Sequence, residues 1–253
     1  MTNPSGEQFE LRAGDQRLVV VEVGGGIRAW DGVLLGYGAD EMCAAGRGQV
    51  LAPWPNRIAE GRYEWDGREL QLPLTEAASG SAIHGLIRWA TWRAVEVEPA
   101  RVVMAHTLHP QPGYPFTLRL RVEYRLSERG LRVHSSVENV GPEAAPFGMG
   151  HHPYILGPAD ELSLDGEPIG DRKLDEAWHR PGGWRIDTGR AIVWADEAWP
   201  WVQAFTGDHP HVGRAGLALE PMSCPPQAFR TGEGVVRLEP GGGWAGTWGI
   251  DLL

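Results

Sequence analysis

Hydrophobic and polar residues alternate most regularly between residues 116 and 139. In the first half of this stretch every second residue is apolar, and the positions between them are held by Thr, Arg and Glu; the apolar positions are Leu118, Leu120, Val122, Tyr124 and Leu126. After Ser127-Glu128-Arg129-Gly130 the alternation resumes at Leu131, Val133 and Val137. A period of two places one set of side chains on one face of a strand, so the pattern predicts a long antiparallel hairpin with one buried face.

Shorter apolar runs of the same kind are spread over the rest of the chain. The 35 glycines and 20 prolines leave few windows long enough for a helix, and no helical period links the runs. The sequence therefore predicts an all-β protein, a large antiparallel β-sandwich of two stacked sheets with few short helices. The other predicted strands cover residues 18–23, 95–97, 102–108, 191–194, 202–206, 216–220, 235–238 and 247–252.

Length and composition limit the class of protein. A chain of 253 residues can bury one full core, and neither a linker nor an internal repeat divides it, so we expect one domain over residues 1–253. Hydrophobic residues make up 42% and charged residues 22%, which fits a globular protein, and no run is long enough to span a bilayer. The two cysteines, Cys43 and Cys224, show no disulfide or thiolate-metal spacing.

Charge and the first residues bear on partners and location. A net charge of −10, with scattered arginines, disfavours nucleic acid and anionic membranes as partners. The first residues lack a basic start followed by an apolar stretch, so we expect a cytoplasmic protein.

Two motifs suggest a cofactor or a metal and are rejected. Residues 24–29, Gly-Gly-Gly-Ile-Arg-Ala, follow an apolar run as a dinucleotide fingerprint would, but Trp30-Asp31-Gly32 interrupts the helix that the motif needs. His151 and His152 are adjacent, and neighbouring side chains on an extended backbone point to opposite faces, so they are poorly placed to bind one ion. We expect neither cofactor nor metal.

Arg57 and His84 lie in turn-rich apolar sequence. An arginine beside Asn56 presents several fixed donors to sugar hydroxyls, although arginines at such positions more often bind loop carbonyls. His84 precedes Gly85, which permits close approach of backbone and ligand; a structural core histidine is an equally good interpretation.

His152 and Glu220 are suited to moving protons. His152 precedes Pro153, which restricts its backbone, and an imidazole can donate or accept a proton at neutral pH; Tyr154 could orient it. Glu220 follows the apolar run 216–219 and precedes Pro221. A carboxylate at the end of such a strand becomes partly desolvated and a stronger base, although glutamates are more often solvated.

Several uncommon motifs occur together and in order. From about Val19 to the C-terminus the chain resembles the aldose 1-epimerase, or galactose mutarotase, family. The motifs that carry the resemblance are Asn56-Arg57-Ile58 with Gly61 and Tyr63, His84-Gly85, Gly113-Tyr114-Pro115-Phe116, His152-x-Tyr154 and Glu220-Pro221.

The resemblance implies a galactose mutarotase-like super-sandwich that needs no metal or cofactor and interconverts the α and β anomers of a free hexose. On the family pattern Glu220 is similar to the general base and His152 to the general acid. The substrate-binding residues are then Asn56, Arg57, His84 and Asp175.

Two other functions compete with this one. A catalytically silent carbohydrate-binding domain of the same fold would need hydroxyl partners but no matched acid and base. A glycoside hydrolase commonly needs two carboxylates, and the sequence offers one convincing candidate. Galactose-type members carry Asn before and Ser or Thr after the catalytic histidine, where this chain has His151 and Pro153, so the resemblance leaves the preferred sugar open.

Overall fold

A computed structural model describes residues 3–253. It is built from 24 strands within that range, many of them short because turns with glycine or proline interrupt the chain. In chain order the strands are β1 (Gln8–Ala13), β2 (Gln16–Val21), β3 (Ile27–Trp30), β4 (Val50–Leu51), β5 (Arg57–Ala59), β6 (Arg62–Trp65), β7 (Arg68–Gln71), β8 (Ser81–Ile83), β9 (Arg93–Glu98), β10 (Arg101–Leu108), β11 (Leu118–Ser127), β12 (Gly130–Asn139), β13 (Ala145–Phe147), β14 (Gly150–His151), β15 (Tyr154–Leu156), β16 (Ser163–Leu164), β17 (Glu167–Pro168), β18 (Asp175–His179), β19 (Trp184–Asp187), β20 (Ala191–Ala195), β21 (Trp201–Phe205), β22 (Gly216–Met222), β23 (Val236–Leu238) and β24 (Gly243–Leu252).

The largest sheet has seven antiparallel strands in the order β19-β20-β24-β12-β11-β10-β9. Its centre is the hairpin β11–β12, which the alternation predicts: Leu118 pairs with Asn139, Ser127 pairs with Gly130, and burial alternates along both strands. The apolar face packs into the core and the Arg and Glu residues between lie outside, as expected for a sheet with one solvated side.

A second sheet of six strands positions the candidate site. Its order is β18-β21-β22-β14-β4, and β15 also pairs with β22. Along β22, Leu217 and Leu219 belong to the main core, whereas Ala218 belongs to a second cluster on the opposite face together with Tyr154. Because side chains alternate along a strand, Glu220 shares the outer face with Ala218.

The two large sheets enclose one continuous apolar core. The main cluster contains Leu120 and Val122 from the seven-stranded sheet and Val202 and Leu217 from the six-stranded sheet. This is the all-β sandwich that the strand pattern predicts. The strand β22 extends two residues beyond the predicted end and is buried along its whole length, because loops cover its outer face as well. The sequence of β22 therefore shows no clear alternation of apolar and polar residues.

The remaining elements are small. The strands β1–β3 form a three-stranded sheet, and four two-stranded pairs are β5–β8, β6–β7, β13–β23 and β16–β17. Glycines at 24 and 25 make the turn between β2 and β3, with no helix after it, so the dinucleotide reading is excluded. The helices in residues 3–253 are a 3-10 turn at Ala159–Glu161 and α1 (Ala228–Thr231), and neither could cross a membrane.

Candidate active site

A cavity of about 260 Å³ opens on the outer face of the six-stranded sheet. Strands of that sheet supply one wall, and the loops after β3 and around β5 and β8 supply the others. All six residues that the sequence predicts for the site line this cavity, although they are spread over more than 160 positions of the chain: Asn56, Arg57, His84, His152, Asp175 and Glu220. The other lining residues are Ala45, Gly46, Thr75, Glu76, Ile83, Arg88, Tyr154, Phe205 and His209.

His152 and Glu220 are in direct contact in this cavity. Nε2 of His152 lies 3.3 Å from Oε1 of Glu220, and both side chains are buried. The backbone places them there: His152 follows β14, and Glu220 lies on β22, the strand that pairs with β14. Nδ1 of His152 and Oε2 of Glu220 have no hydrogen-bond partner in residues 3–253. Buried polar atoms are rarely left unpaired, so the protein alone does not satisfy the hydrogen-bonding capacity of this pair.

Burial dominates the electrostatics of the pair. It lowers the pKa of His152 to about 3. It also raises the pKa of Glu220 well above its usual range, with a further increase from the charge of Asp175 and a decrease from Arg57. The favoured form is therefore a carboxylic acid beside a neutral imidazole. The pair then holds one titratable proton and carries no net charge, which is the form of lower free energy in a low dielectric.

Two neighbours fix the ring of His152. The ring of Tyr154 stacks on it with centroids 5.0 Å apart, and the Tyr154 hydroxyl donates a hydrogen bond to the carbonyl of Ala45 at 3.1 Å. Gly46 also lies against the ring, and a Cβ there would be only 2.6 Å from Cδ2 of His152. The predicted orienting role of Tyr154 thus has a structural basis, whereas Gly46 carries no signal in the sequence.

His84 is held by the backbone of the loop before β5. The backbone N–H of Asn56 donates to Nδ1 of His84 at 3.2 Å, and the N–H of His84 donates to the carbonyl of Asn56 at 2.9 Å. A neutral imidazole whose Nδ1 accepts carries its proton on Nε2. Burial and nearby positive charge lower the pKa of His84 well below its usual value, so the ring stays neutral and serves as a donor.

Gly85 allows this arrangement. Asn56, His84 and Gly85 all have positive φ, at 51°, 60° and 72°, and a side chain on Gly85 would overlap the carbonyl of Ala52. The close approach expected from His84-Gly85 is therefore real, but the neighbour is backbone.

Arg57 is held by a carboxylate that the sequence analysis missed. Nε and Nη2 of Arg57 donate to the two oxygens of Glu76 at 2.6 and 2.8 Å, and the Ser79 hydroxyl also donates to Glu76. This bidentate geometry fixes the plane of the guanidinium at the cavity wall. Glu76 comes directly before the run of small residues 77–82, and nothing in that sequence distinguishes it from a solvated glutamate.

Asp175 lies at the start of β18, on the edge of the six-stranded sheet. Nε2 of Gln203 donates to its Oδ1 at 2.6 Å, and Gln203 is also the residue on β21 that pairs with Glu220 across the sheet. The amide therefore orients one carboxylate beside the other. Asp175, predicted to bind substrate, lines the cavity.

His151 turns away from the cavity. Its Nε2 is 2.9 Å from the hydroxyl of Ser135, and its ring packs against Trp199 and Trp248 in the core. The two adjacent histidines therefore occupy opposite faces, as an extended backbone requires.

Comparison with known proteins agrees with the fold. The aldose 1-epimerase family profile matches residues 7–177. This chain belongs to the aldose 1-epimerase family. Among its relatives, the uncharacterized protein YihR of Escherichia coli K12 is 34% identical over 282 residues, covering 94% of this chain and 90% of YihR.

Solved structures of aldose 1-epimerase-like proteins share the fold. A candidate aldose 1-epimerase from Escherichia coli K12 superposes with a TM-score of 0.80 at 22% identity, covering 98% of this chain and 99% of that one. A galactose mutarotase-like protein from Clostridium acetobutylicum gives 0.79 at 16% identity, covering 95% and 93%. The resemblance drawn from short motifs is thus confirmed at the level of family and fold.

Proposed function

We propose that this protein is an aldose 1-epimerase that interconverts the α and β anomers of a hexose by acid–base opening and reclosure of the ring. The observation that carries the proposal is the 3.3 Å contact between His152 and Glu220 in the cavity, with one unpaired polar atom on each. An imidazole and a carboxylate that share one proton can give a proton to one oxygen of a substrate and take one from another.

Ring opening uses the ionised form of the pair. The Glu220 carboxylate removes the proton of the anomeric hydroxyl, and the His152 imidazolium protonates the ring oxygen. The C1–O5 bond breaks and C1 becomes the aldehyde carbon. The pair is left as carboxylic acid and neutral imidazole, which is the form that burial favours.

Reclosure reverses the roles. Rotation about C1–C2 presents the other face of the carbonyl, His152 takes the proton of the C5 hydroxyl, and Glu220 returns a proton to the carbonyl oxygen. The pair carries one proton throughout, so no step changes the net charge of the cavity. Donors from Arg57 and His84 hold the sugar hydroxyls during the rotation.

The carboxylates of the cavity do not favour glycoside hydrolysis. Besides Glu220 the cavity contains Asp175, which the sequence already indicated, and Glu76, which it did not. However, Glu76 is bound through both oxygens to Arg57, which together with its other contacts lowers its pKa, and Asp175 accepts the Gln203 amide. Neither is a free acid or nucleophile of the kind that glycosidases use opposite a second carboxylate.

Anomer exchange tests the proposal directly. We expect the protein to accelerate the approach to anomeric equilibrium of fresh α-glucose or α-galactose, followed by polarimetry or NMR. His152→Asn and Glu220→Gln should each reduce the rate about 10²-fold or more, the usual loss when a positioned proton-transfer group is removed.

Sugar binding by calorimetry and circular dichroism provide the controls. Variants that keep the fold and bind sugar but lose exchange support an acid–base role. A wild-type protein that binds sugars while exchange stays at the buffer rate for a panel of aldoses would instead establish the alternative, a silent carbohydrate-binding domain.

A further inference from the structure

One arginine of the cavity forms no ion pair within residues 3–253, and the charge of Glu76 acts on it only at longer range. Arg88 lines the cavity and is half-buried, yet its guanidinium forms neither an ion pair nor a side-chain hydrogen bond with residues 3–253. Its contact is with the face of Trp89, 5.8 Å from the ring centroid, which leaves its donors free. Arg57, the other arginine of the cavity, is neutralised by Glu76.

Gln49 links the backbone of Arg88 to that of His152. The carbonyl of Gln49 accepts the N–H of His152 at 3.1 Å, and the side-chain amide of the same residue donates to the carbonyl of Arg88 at 3.2 Å. Arg88 is therefore tied to the His152 side of the cavity. Its positive charge is among the causes that lower the pKa of both His152 and His84, whereas the charges that act on Glu220 are those of Asp175 and Arg57.

This side of the cavity corresponds to a definite part of the sugar. In the proposed reaction His152 faces the ring oxygen, and Glu220 faces the anomeric hydroxyl. The ring oxygen is bonded to C5, which carries C6, so a C6 substituent lies on the same side as Arg88. A partly desolvated guanidinium without a partner is destabilising. An oxyanion that accepts hydrogen bonds from its planar set of donors offsets this free-energy cost.

We infer that the substrate is a hexose with an anionic group at C6, and that Arg88 binds this group. The inference rests on the proposed function, because the assignment of C6 follows from the roles given to His152 and Glu220. The chemical class is an oxyanion: a carboxylate, a phosphate or a sulfo group. A single unpaired guanidinium makes a singly charged group the best match.

The experiment compares sugars that differ only in this substituent. Exchange rates are measured for glucose, glucuronate, glucose 6-sulfate and glucose 6-phosphate, with glucose 3-sulfate as the control for position. We expect kcat/KM for at least one C6 anion to exceed that for glucose about tenfold or more, and glucose 3-sulfate to gain nothing.

Variants assign the preference to Arg88. Arg88→Gln should abolish the preference for the C6 anion, lowering kcat/KM for the anionic sugar about tenfold or more relative to that for glucose, and Arg88→Lys should restore part of the preference. Arg93→Gln, which removes the same charge from an exposed position on β9, should leave the preference unchanged. Equal rates on neutral and C6-anionic sugars, or a loss in Arg88→Gln that is the same for all sugars, would overturn the inference.

Binding separates this inference from the proposed function. Titration calorimetry of the same sugars reports recognition without turnover. If the protein exchanges the anomers of glucose but shows no Arg88-dependent preference among the sugars, the anionic substrate is refuted and the proposed function stands. If a C6-anionic sugar binds in an Arg88-dependent way but no sugar undergoes anomer exchange, the epimerase activity is refuted and the anion-binding site is supported.

Discussion

Gly46 lies directly against the imidazole of His152. Its φ is +73°, and a Cβ at this position would lie 2.6 Å from Cδ2 of the ring. Since Tyr154 stacks on the same ring, His152 cannot move without losing that contact. The orientation of the proposed acid thus depends on a residue that has no side chain.

Gly46→Ala should reduce exchange about 10²-fold, because a displacement of the order of an ångström is enough to spoil a proton-transfer geometry. Gly32→Ala is the matched control: its φ is +74° and nothing lies within 4 Å of its Cβ position, so it introduces the same backbone strain without touching the site. Polarimetry on both variants, with thermal melts, separates strain from displacement. Equal losses of activity in the two would show that the contact with His152 is unimportant.

A second prediction concerns which ring nitrogen of His84 carries the proton. Because Nδ1 accepts the N–H of Asn56, the proton should lie on Nε2, and the lowered pKa should keep the ring neutral at mildly acidic pH. Nitrogen-15 long-range NMR on selectively labelled protein at about pH 5.5, below the ordinary histidine pKa, reads both properties. A protonated ring, or a proton on Nδ1, would contradict the donor role given to His84.

Glu76 should act on binding more than on chemistry. Glu76→Gln removes the charge that holds the Arg57 guanidinium, so the arginine loses its fixed plane and KM should rise about tenfold with kcat little changed. Adding Glu76→Gln to Arg57→Ala should have little further effect, since both changes disrupt the same interaction. Additive losses in steady-state kinetics of the single and double variants would mean that Glu76 acts independently of Arg57.

His151 should make the fold sensitive to acid. Burial lowers its pKa to about 3, so the folded state holds it neutral while the unfolded chain takes up a proton below about pH 6.5. The unfolded state then binds more protons, and stability is lost as the pH falls. At pH 5 the contribution of this one histidine is a loss of about 2 kcal/mol relative to neutral pH.

Urea unfolding at pH 7 and pH 5 measures this effect. His151→Gln keeps a hydrogen-bonding group for Ser135 but cannot titrate, so its stability should fall by about 2 kcal/mol less than that of the wild type between the two values. An identical fall in both proteins would show that the folded state does not depress the pKa of His151. The His152–Glu220 pair keeps one proton in the folded state, whereas the unfolded chain holds fewer protons on these two groups near pH 7, so the pair should offset part of the fall equally in both proteins.

The sequence predicted the fold where side chains alternate and failed where they do not. The hairpin β11–β12 has one dry face, and its register follows from the pattern. The strand β22 is covered on both faces, so it reads as a continuous apolar run, and its end at Met222 was placed two residues too early. The glycines before β3 could be distinguished from a dinucleotide-binding motif, because the residues that follow them cannot form the helix that such a motif needs.

The residues with distinctive chemistry could be found from the chain itself: an imidazole before a proline, a histidine before a glycine, an arginine after an asparagine and a glutamate in an apolar run. Glu76, Arg88 and Gly46 could not be found in this way. The role of an ordinary loop glutamate, arginine or glycine depends on the residues that face it in the folded protein. Burial of His152 against Glu220, the bidentate support of Arg57 and the isolation of Arg88 are all contacts between segments far apart in the chain. Local patterning therefore determined the strands and the chemical groups available, and the pairing of strands in three dimensions decided their distances, desolvation and protonation.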